Sequence, residues 1–283
     1  MSKQAETKGQ ATNLSQWVWM ALIPLVLVVI QWFTDNVRPG NLLMEVPLVR
    51  QFLFLESTWA YTYLHLFTFI PVFLLSFDSK VHYYRQWKYL LPSILIVGTF
   101  FIVWDVFFTI KGVWAFNESY FLNISFLHLP IEEWLFFIIV PFACLFIYEC
   151  LNAYIKKDLL APYERIITIL LIITFLTTGL LYWGHLYTTT TFLLSGSFLL
   201  FHLLFSWGEY RARFYLAFLV SLVPFLIVNG VLTGGYTQQP IVIYNPEEYL
   251  GIRITSIPLD DMVYGFLLLL GVVTLYEFFK KQG

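Results

Sequence analysis

Long apolar stretches separated by short polar ones run through almost the whole chain. Eight of them approach the length of about 20 residues that a helix needs to cross a bilayer. They cover roughly 17–33, 54–77, 89–108, 131–151, 165–184, 187–207, 214–233 and 261–279. The fifth and sixth are joined only by WGHLY, so they are expected to form a tight helical hairpin. Trp and Tyr crowd several of the ends, as interfacial anchors do. The pattern predicts an all-α fold, a polytopic transmembrane helical bundle of about eight spans. Ahead of the first stretch lie polar and small residues, MSKQAETKGQATNLSQ. A signal peptide would have this layout, but TDNVRPGNLLMEV follows without a small-residue cleavage pattern, so a retained span is expected.

Composition agrees with this pattern. Of 283 residues, 59% are hydrophobic and only 12% are charged. A soluble domain usually carries about 25% charged residues to wet its surface. The net charge of −2 gives no electrostatic basis for binding nucleic acid. The sixteen basic residues sort sharply between the two sides of the predicted spans. One side carries Lys3, Lys8, Lys80, Arg85, Lys88, Lys156, Lys157, Arg165, Arg211, Arg213, Lys280 and Lys281. Only Arg38, Arg50, Lys111 and Arg253 fall on the other. The positive-inside rule therefore predicts a multi-pass cell-membrane protein with both termini cytoplasmic. The two long non-cytoplasmic loops, about 109–130 and 234–260, would supply any cover over a site. Cys144 and Cys150 are six apart in one span, poorly placed to meet, and read as inert thiols.

Spans four and eight open alike. Pro130-Ile-Glu132-Glu133-Trp-Leu-Phe136-Phe137 lies 128 residues before Pro258-Leu-Asp260-Asp261-Met-Val-Tyr264-Gly265. At the same offset Tyr148-Glu149 matches Tyr276-Glu277, Asn117 matches Asn245 and Leu122 matches Leu250. Further upstream the offset is 124: Asp105 falls on Asn229 and Thr109 on Thr233. Spans two to four thus pair with spans six to eight, and span five connects them. An odd connector restores the starting direction, so the bundle contains two parallel three-helix repeats. The expected organisation is an N-terminal extension with one extra span (1–53), a first repeat (54–152), a connector span (153–186) and a second repeat (187–283).

Carboxylates at membrane depth are costly and usually functional. Glu132, Glu133, Asp260 and Asp261 lie in the first turns of their spans. Asp105 and Asn229 lie near the same, non-cytoplasmic ends of spans three and seven. About a pseudo-twofold, all six could converge on one cavity. The blander alternative is an ordinary helix start, since Pro suits the first turn and the macrodipole favours acids there. Glu149 and Glu277 sit about 24 Å further along each axis, at the cytoplasmic interface, and read as anchors beside Lys156 and Lys280. His128 is a candidate proton relay or a headgroup-region residue. His65, His82, His185 and His202 show no ligand spacing, and no phosphate-binding glycine motif is present. No metal or cofactor is expected. Most aromatic residues would face lipid or pack the core, and a minority could line an apolar pocket or steady a cation.

The doubled P-x-E-[ED]-x-x-F-F pattern with an upstream Trp-Asp resembles the lycopene cyclase domain of the heterodimeric and fused type. In the first half the matching strings are WDVFFTIKGVWAFN and LPIEEWLFFIIVP; in the second they are VNGVLTGGY and IPLDDMVYGF. FDSKVHYYRQWKYLLP is similar to the family's first interspan loop. The resemblance covers about 54–279 and implies cyclisation of the linear ends of lycopene into β-rings without net redox change, by an enzyme that needs no flavin. It marks Glu132, Glu133, Asp260 and Asp261 as the acid-base residues, with Glu132 or Glu133 as proton donor, a carboxylate of the other half as base or charge partner, and Asp105 in support. The second half departs from the pattern: Asp260 is one methylene shorter than Glu, and Gly265 leaves room for a ligand or a neighbouring helix.

The chemistry fits the setting. A polyene partitions into the bilayer, which makes the carotenoid and lipid the expected partners, with other carotenoid-pathway enzymes as further candidates. A terminal alkene is a poor base, so ring closure needs a carboxylic acid held protonated in a dry site and a second group to remove a proton. Aromatic faces would steady the cation and exclude water. Two other readings remain open at this point: a related cyclase or hydratase acting on another isoprenoid, and a non-enzymatic carrier or receptor. Pro71 and Pro141 lie within spans, but no matched pair of broken helices suggests a carrier.

Overall fold

The computed structural model describes residues 22–37, 46–205 and 210–283. Lys3, Lys8, Arg38, positions 17–21 of the first predicted span and positions 206–207 of the sixth lie outside the described residues. Among the described residues eight α-helices follow one another: α1 Leu22–Thr34, α2 Ala60–Leu75, α3 Trp87–Lys111, α4 Ile131–Tyr154, α5 Glu164–Leu181, α6 Leu186–Leu204, α7 Arg211–Leu232 and α8 Leu259–Gln282. The helices from α3 to α8 are each long and apolar enough to cross a membrane. The described parts of α1 and α2 are shorter. Span two, expected over 54–77, is helical only from Ala60 to Leu75. Its predicted start is instead taken up by a 3-10 turn, Leu53–Leu55. Nearby, Glu56 accepts hydrogen bonds from the Tyr120 hydroxyl and the Gln238 backbone, which ties this segment to the loops.

Three two-stranded ladders cap the acid-bearing end of the bundle. β1 (Trp114–Phe116) pairs antiparallel with β4 (Val242–Tyr244), β2 (Ser125–Phe126) with β3 (Leu129–Pro130), and β5 (Arg253–Ile254) with β6 (Ile257–Pro258). All come from the two long loops. In the first ladder Trp114 faces Tyr244, Ala115 faces Ile243 and Phe116 faces Val242. Each strand is the counterpart of the other at an offset of 128, so the pseudo-twofold passes through the Ala115–Ile243 pair.

The repeat is equally visible at the opposite end. Tyr148 donates to Glu277 (2.8 Å), and its counterpart Tyr276 donates to Glu149 (2.9 Å). Glu149 also pairs with Lys280. The expected anchoring beside Lys280 is therefore present, but the main partner of each glutamate is a tyrosine of the other repeat. Among the described residues no ion pair joins Lys156 to Glu149, and the Lys156 carbonyl accepts from Arg213. The hairpin α5–α6 closes through two glycines used reciprocally. A Cβ at Gly179 would lie 2.7 Å from Leu193, and one at Gly196 would lie 2.7 Å from Leu176. α1 stands outside the duplication and packs through Trp32, which stacks on Phe107 of α3 and donates to Thr190 of α6.

Candidate active site

The first turn of α4 and the first turn of α8 meet the loops that precede them in the same way. Glu132 accepts from the backbone N–H of Leu122 (3.0 Å) and from Thr62 (3.2 Å). Asp260 accepts from the backbone N–H of Leu250 (3.2 Å) and from Thr188 (2.5 Å). These two acids bind each loop to the start of its helix. The next residue along each helix is rotated by about 100° and faces the bundle interior. There Tyr61 donates to Glu133 (2.6 Å) and Tyr187 to Asp261 (2.7 Å). Asp261 also accepts from Asn229 (2.7 Å) and Tyr244 (2.9 Å), so three donors converge on it.

Asp105 completes the group. Trp114 donates its indole N–H to Oδ1 of Asp105 (2.6 Å), and the Asp105 carboxyl lies beside that of Glu133. Asp105, Glu133, Asn229 and Asp261 are all buried. They line one cavity of about 130 Å³, together with Tyr61, Trp114, Tyr187, Tyr244 and Tyr264. Below the acids the wall is apolar, formed by Phe136, Val140 and Ile147 of α4, Leu222 and Phe225 of α7, and Leu268 of α8. Among the described residues no lysine or arginine lines it. The cavity carries three acids, and it is ringed by aromatic faces where those acids emerge.

The sequence places six polar residues at this end, and the structure divides them. Four reach the cavity. Glu132 and Asp260 do not: Oε1 of Glu132 and the carboxyl of Asp260 are bonded to the loop backbones and to Thr62 and Thr188, so four of the six that could converge share the cavity. His128 is exposed at the tip of the β2–β3 hairpin, in a left-handed conformation (φ 67°), and does not line the cavity. Cys144 and Cys150 are free thiols, as their spacing suggests, but Cys144 lines the cavity and is not a simple core residue. Gly265 also lines the cavity, and a Cβ built there would find its nearest neighbour, Phe225, at 3.9 Å. The glycine does leave room.

The family model for lycopene cyclase matches residues 58–151 and again 184–279. The chain belongs to the lycopene cyclase family. Both matched segments contain a complete first turn with its acids, so each half contributes a copy of the family's module to one cavity. Family membership and the apolar helices together describe a membrane protein of the carotenoid cyclase kind. No curated protein and no solved structure matches the chain.

Sequence reasoning missed the tyrosines that hold the cyclase's acids. One signal was available: Tyr61-Thr62 recurs as Tyr187-Thr188 at an offset of 126, at the start of α2 and of α6. His65 was also missed. Its Nε2 is 2.8 Å from the backbone carbonyl oxygen of Glu132, within the first turn of α4. Tyr244 and Trp114 reach the site only through the pairing of β1 with β4, and no local pattern encodes that pairing.

Proposed function

We propose that this chain converts lycopene to β-carotene, an isomerisation in which Asp105 and Glu133 deliver a proton and Asp261 serves as anion and base. The observation that carries this reading is the convergence of three carboxyls from both halves on one apolar, aromatic-ringed cavity without a basic side chain among the described residues. Two carboxyl groups in contact hold one proton between them, so the Asp105–Glu133 pair is furnished as a donor. Transfer of that proton to the terminal alkene leaves a tertiary cation. The neighbouring double bond of the same end group closes on it, forming the ring and moving the charge into the ring. Loss of a ring proton then restores a double bond, and no electrons are gained or lost overall.

Asp261 supports the later half of this sequence. Three hydrogen-bond donors aimed at one carboxylate equip it to remain an acceptor, and it faces the same cavity from the other repeat. Tyr61, Trp114, Tyr187, Tyr244 and Tyr264 surround the acids with π-faces that steady a cation. The apolar wall below excludes the water that would otherwise trap the cation as an alcohol. The sidedness of the basic residues supports a multi-pass arrangement with cytoplasmic termini and the acid end on the far side. Glu132 and Asp260 act in this scheme as positioning residues, holding the loops that carry Trp114 and Tyr244.

Expression in bacteria that accumulate lycopene tests the reading. The expected result is a red-to-orange shift, with β-carotene and its one-ring intermediate in the pigment extract. Unchanged lycopene in cells whose membranes contain the inserted protein would overturn it. A hydroxylated end group in place of a ring would instead assign the site to the hydratase alternative.

A further inference from the structure

The duplicated fold makes two grooves, yet only one is open. The first lies between α4 and α7 and leads into the cavity; exposed Pro224 and half-buried Phe136 and Phe225 line it, so it opens on the flank of the bundle. The pseudo-twofold carries it onto the groove between α8 and α3. There the counterparts of three lining residues are far larger. Gly265 is replaced by Phe137, Val228 by Trp104 and Leu232 by Phe108. All three aromatic residues are 0–1% exposed. Trp104 lies with its ring centroid 5.0 Å from Tyr264, and Phe101 packs against both Tyr264 (4.9 Å) and Phe137 (6.2 Å). The interior of the second groove is therefore solid side chain.

The outside of the second groove is covered as well. Trp32 of α1 contacts Trp104, Phe107 and Phe108 of α3 and bonds to Thr190 of α6, bridging the helices that flank α8. No other described helix stands in the counterpart position over α4, since α1 is not duplicated. The helix that sequence analysis leaves without a role thus seals the half that the repeat would otherwise leave open.

We infer that the chain has a single end-group site, entered from the bilayer through the α4–α7 groove, and that a two-ended polyene is cyclised one end at a time with release between. This rests on the proposed cyclase reading. The acids of both halves serve one cavity, so among the described residues there is no second place for the other end to react while the first is bound. The apolar wall runs from Glu133 to Ile147 along α4, about 21 Å by helical rise. It takes a linear polyene from its end group inward. After the first ring forms, the uncyclised end is left outside the acids, so the molecule must leave and return reversed.

Two measurements test this in the purified full-length protein in lipid vesicles. In the first, isotope-labelled lycopene is turned over in the presence of excess unlabelled one-ring intermediate. The label is expected to collect in the one-ring pool, with little in β-carotene until that pool is consumed. Label passing directly into β-carotene would overturn the release step. In the second, Gly265→Phe fills the cavity from α8 and Ala143→Phe fills it from the opposite wall, so that a folding defect in one variant does not decide the question. Both are expected to slow ring formation from lycopene and from the one-ring intermediate in parallel, by at least about a hundredfold. A variant that blocks one step and spares the other would establish a second site. If the wild-type protein forms no rings at all, the cyclase reading itself falls, an outcome distinct from either of these.

Discussion

Replacing Glu133, the proposed proton donor, with glutamine separates the acid from its surroundings. Glutamine has the same size, its amide oxygen can accept from Tyr61, and its NH2 group can donate to Asp105. The folded state should therefore lose no more than about 1 kcal/mol. The proton is another matter, because an amide has none to give. General acid catalysis contributes about 10² to 10⁴ in rate, so Glu133→Gln is expected to slow ring formation by that factor, about 3–5 kcal/mol of barrier. Glu132→Gln is the contrasting change, one residue earlier in the same turn. Its amide oxygen still accepts from Leu122 and Thr62, and it does not face the cavity. Turnover should stay within about fivefold, the factor that about 1 kcal/mol gives. Initial rates by pigment chromatography, at matched amounts of inserted protein, measure both variants, and thermal unfolding in detergent checks that they fold. Loss of activity in Glu132→Gln with normal turnover in Glu133→Gln would refute the division of roles between these neighbours.

Three further outcomes follow from the same geometry. Asp261→Asn leaves three donors facing an amide that cannot accept from all of them; it should lower turnover by at least about a hundredfold and cost about 1–3 kcal/mol of stability, read from pigment ratios and unfolding temperature. Tyr148→Phe and Tyr276→Phe each remove one of the reciprocal bonds between the repeats, and each should cost about 1.5–3 kcal/mol, the range for bonds to charged groups, by thermal unfolding in detergent. Equal stability of wild type and both variants would mean that these bonds do not hold the halves together. Gly196→Val, which drives a branched side chain into Leu176, should destabilise the α5–α6 hairpin by about 1–3 kcal/mol, whereas Gly112→Ala, which meets no atom within 4 Å but sits at φ 76°, should cost about 1 kcal/mol from backbone strain alone.

Much of this architecture is legible in the sequence because a bilayer imposes long apolar runs and because duplication copies spacing. The starts of α4 and α8, the match of Asp105 with Asn229 and the pairing of spans two to four with six to eight are all visible in the sequence itself. Which acid of each pair faces inward does not. Adjacent residues on a helix point about 100° apart, and only the packing of α4 against α2 and α3 determines which direction is the interior. The reciprocal Tyr148–Glu277 and Tyr276–Glu149 bonds escape for a similar reason. Tyr-Glu at a span end looks the same whether the glutamate meets lipid headgroups or a partner helix. The closed groove is legible in retrospect, since Phe137, Trp104 and Phe108 stand where the other half has Gly265, Val228 and Leu232. Those substitutions acquire meaning only when the offsets of 128 and 124 are known to bring the six positions to equivalent places in space. The shortened α2 reflects a competition that composition does not record: residues before Ala60 bond to the loops and leave the helix.

In the proposed reaction, ring formation starts with a proton from a carboxyl pair and ends with the loss of a different proton to another carboxylate. Turnover of lycopene by the vesicle-embedded protein in D2O measures this directly. The donor exchanges with solvent between turnovers, while the hydrogen removed from the ring carbon comes from the substrate. Mass spectrometry should therefore find one carbon-bound deuterium for each ring, one in the one-ring intermediate and two in β-carotene. Rings formed without deuterium would contradict an exchangeable carboxyl as the source of the initiating proton.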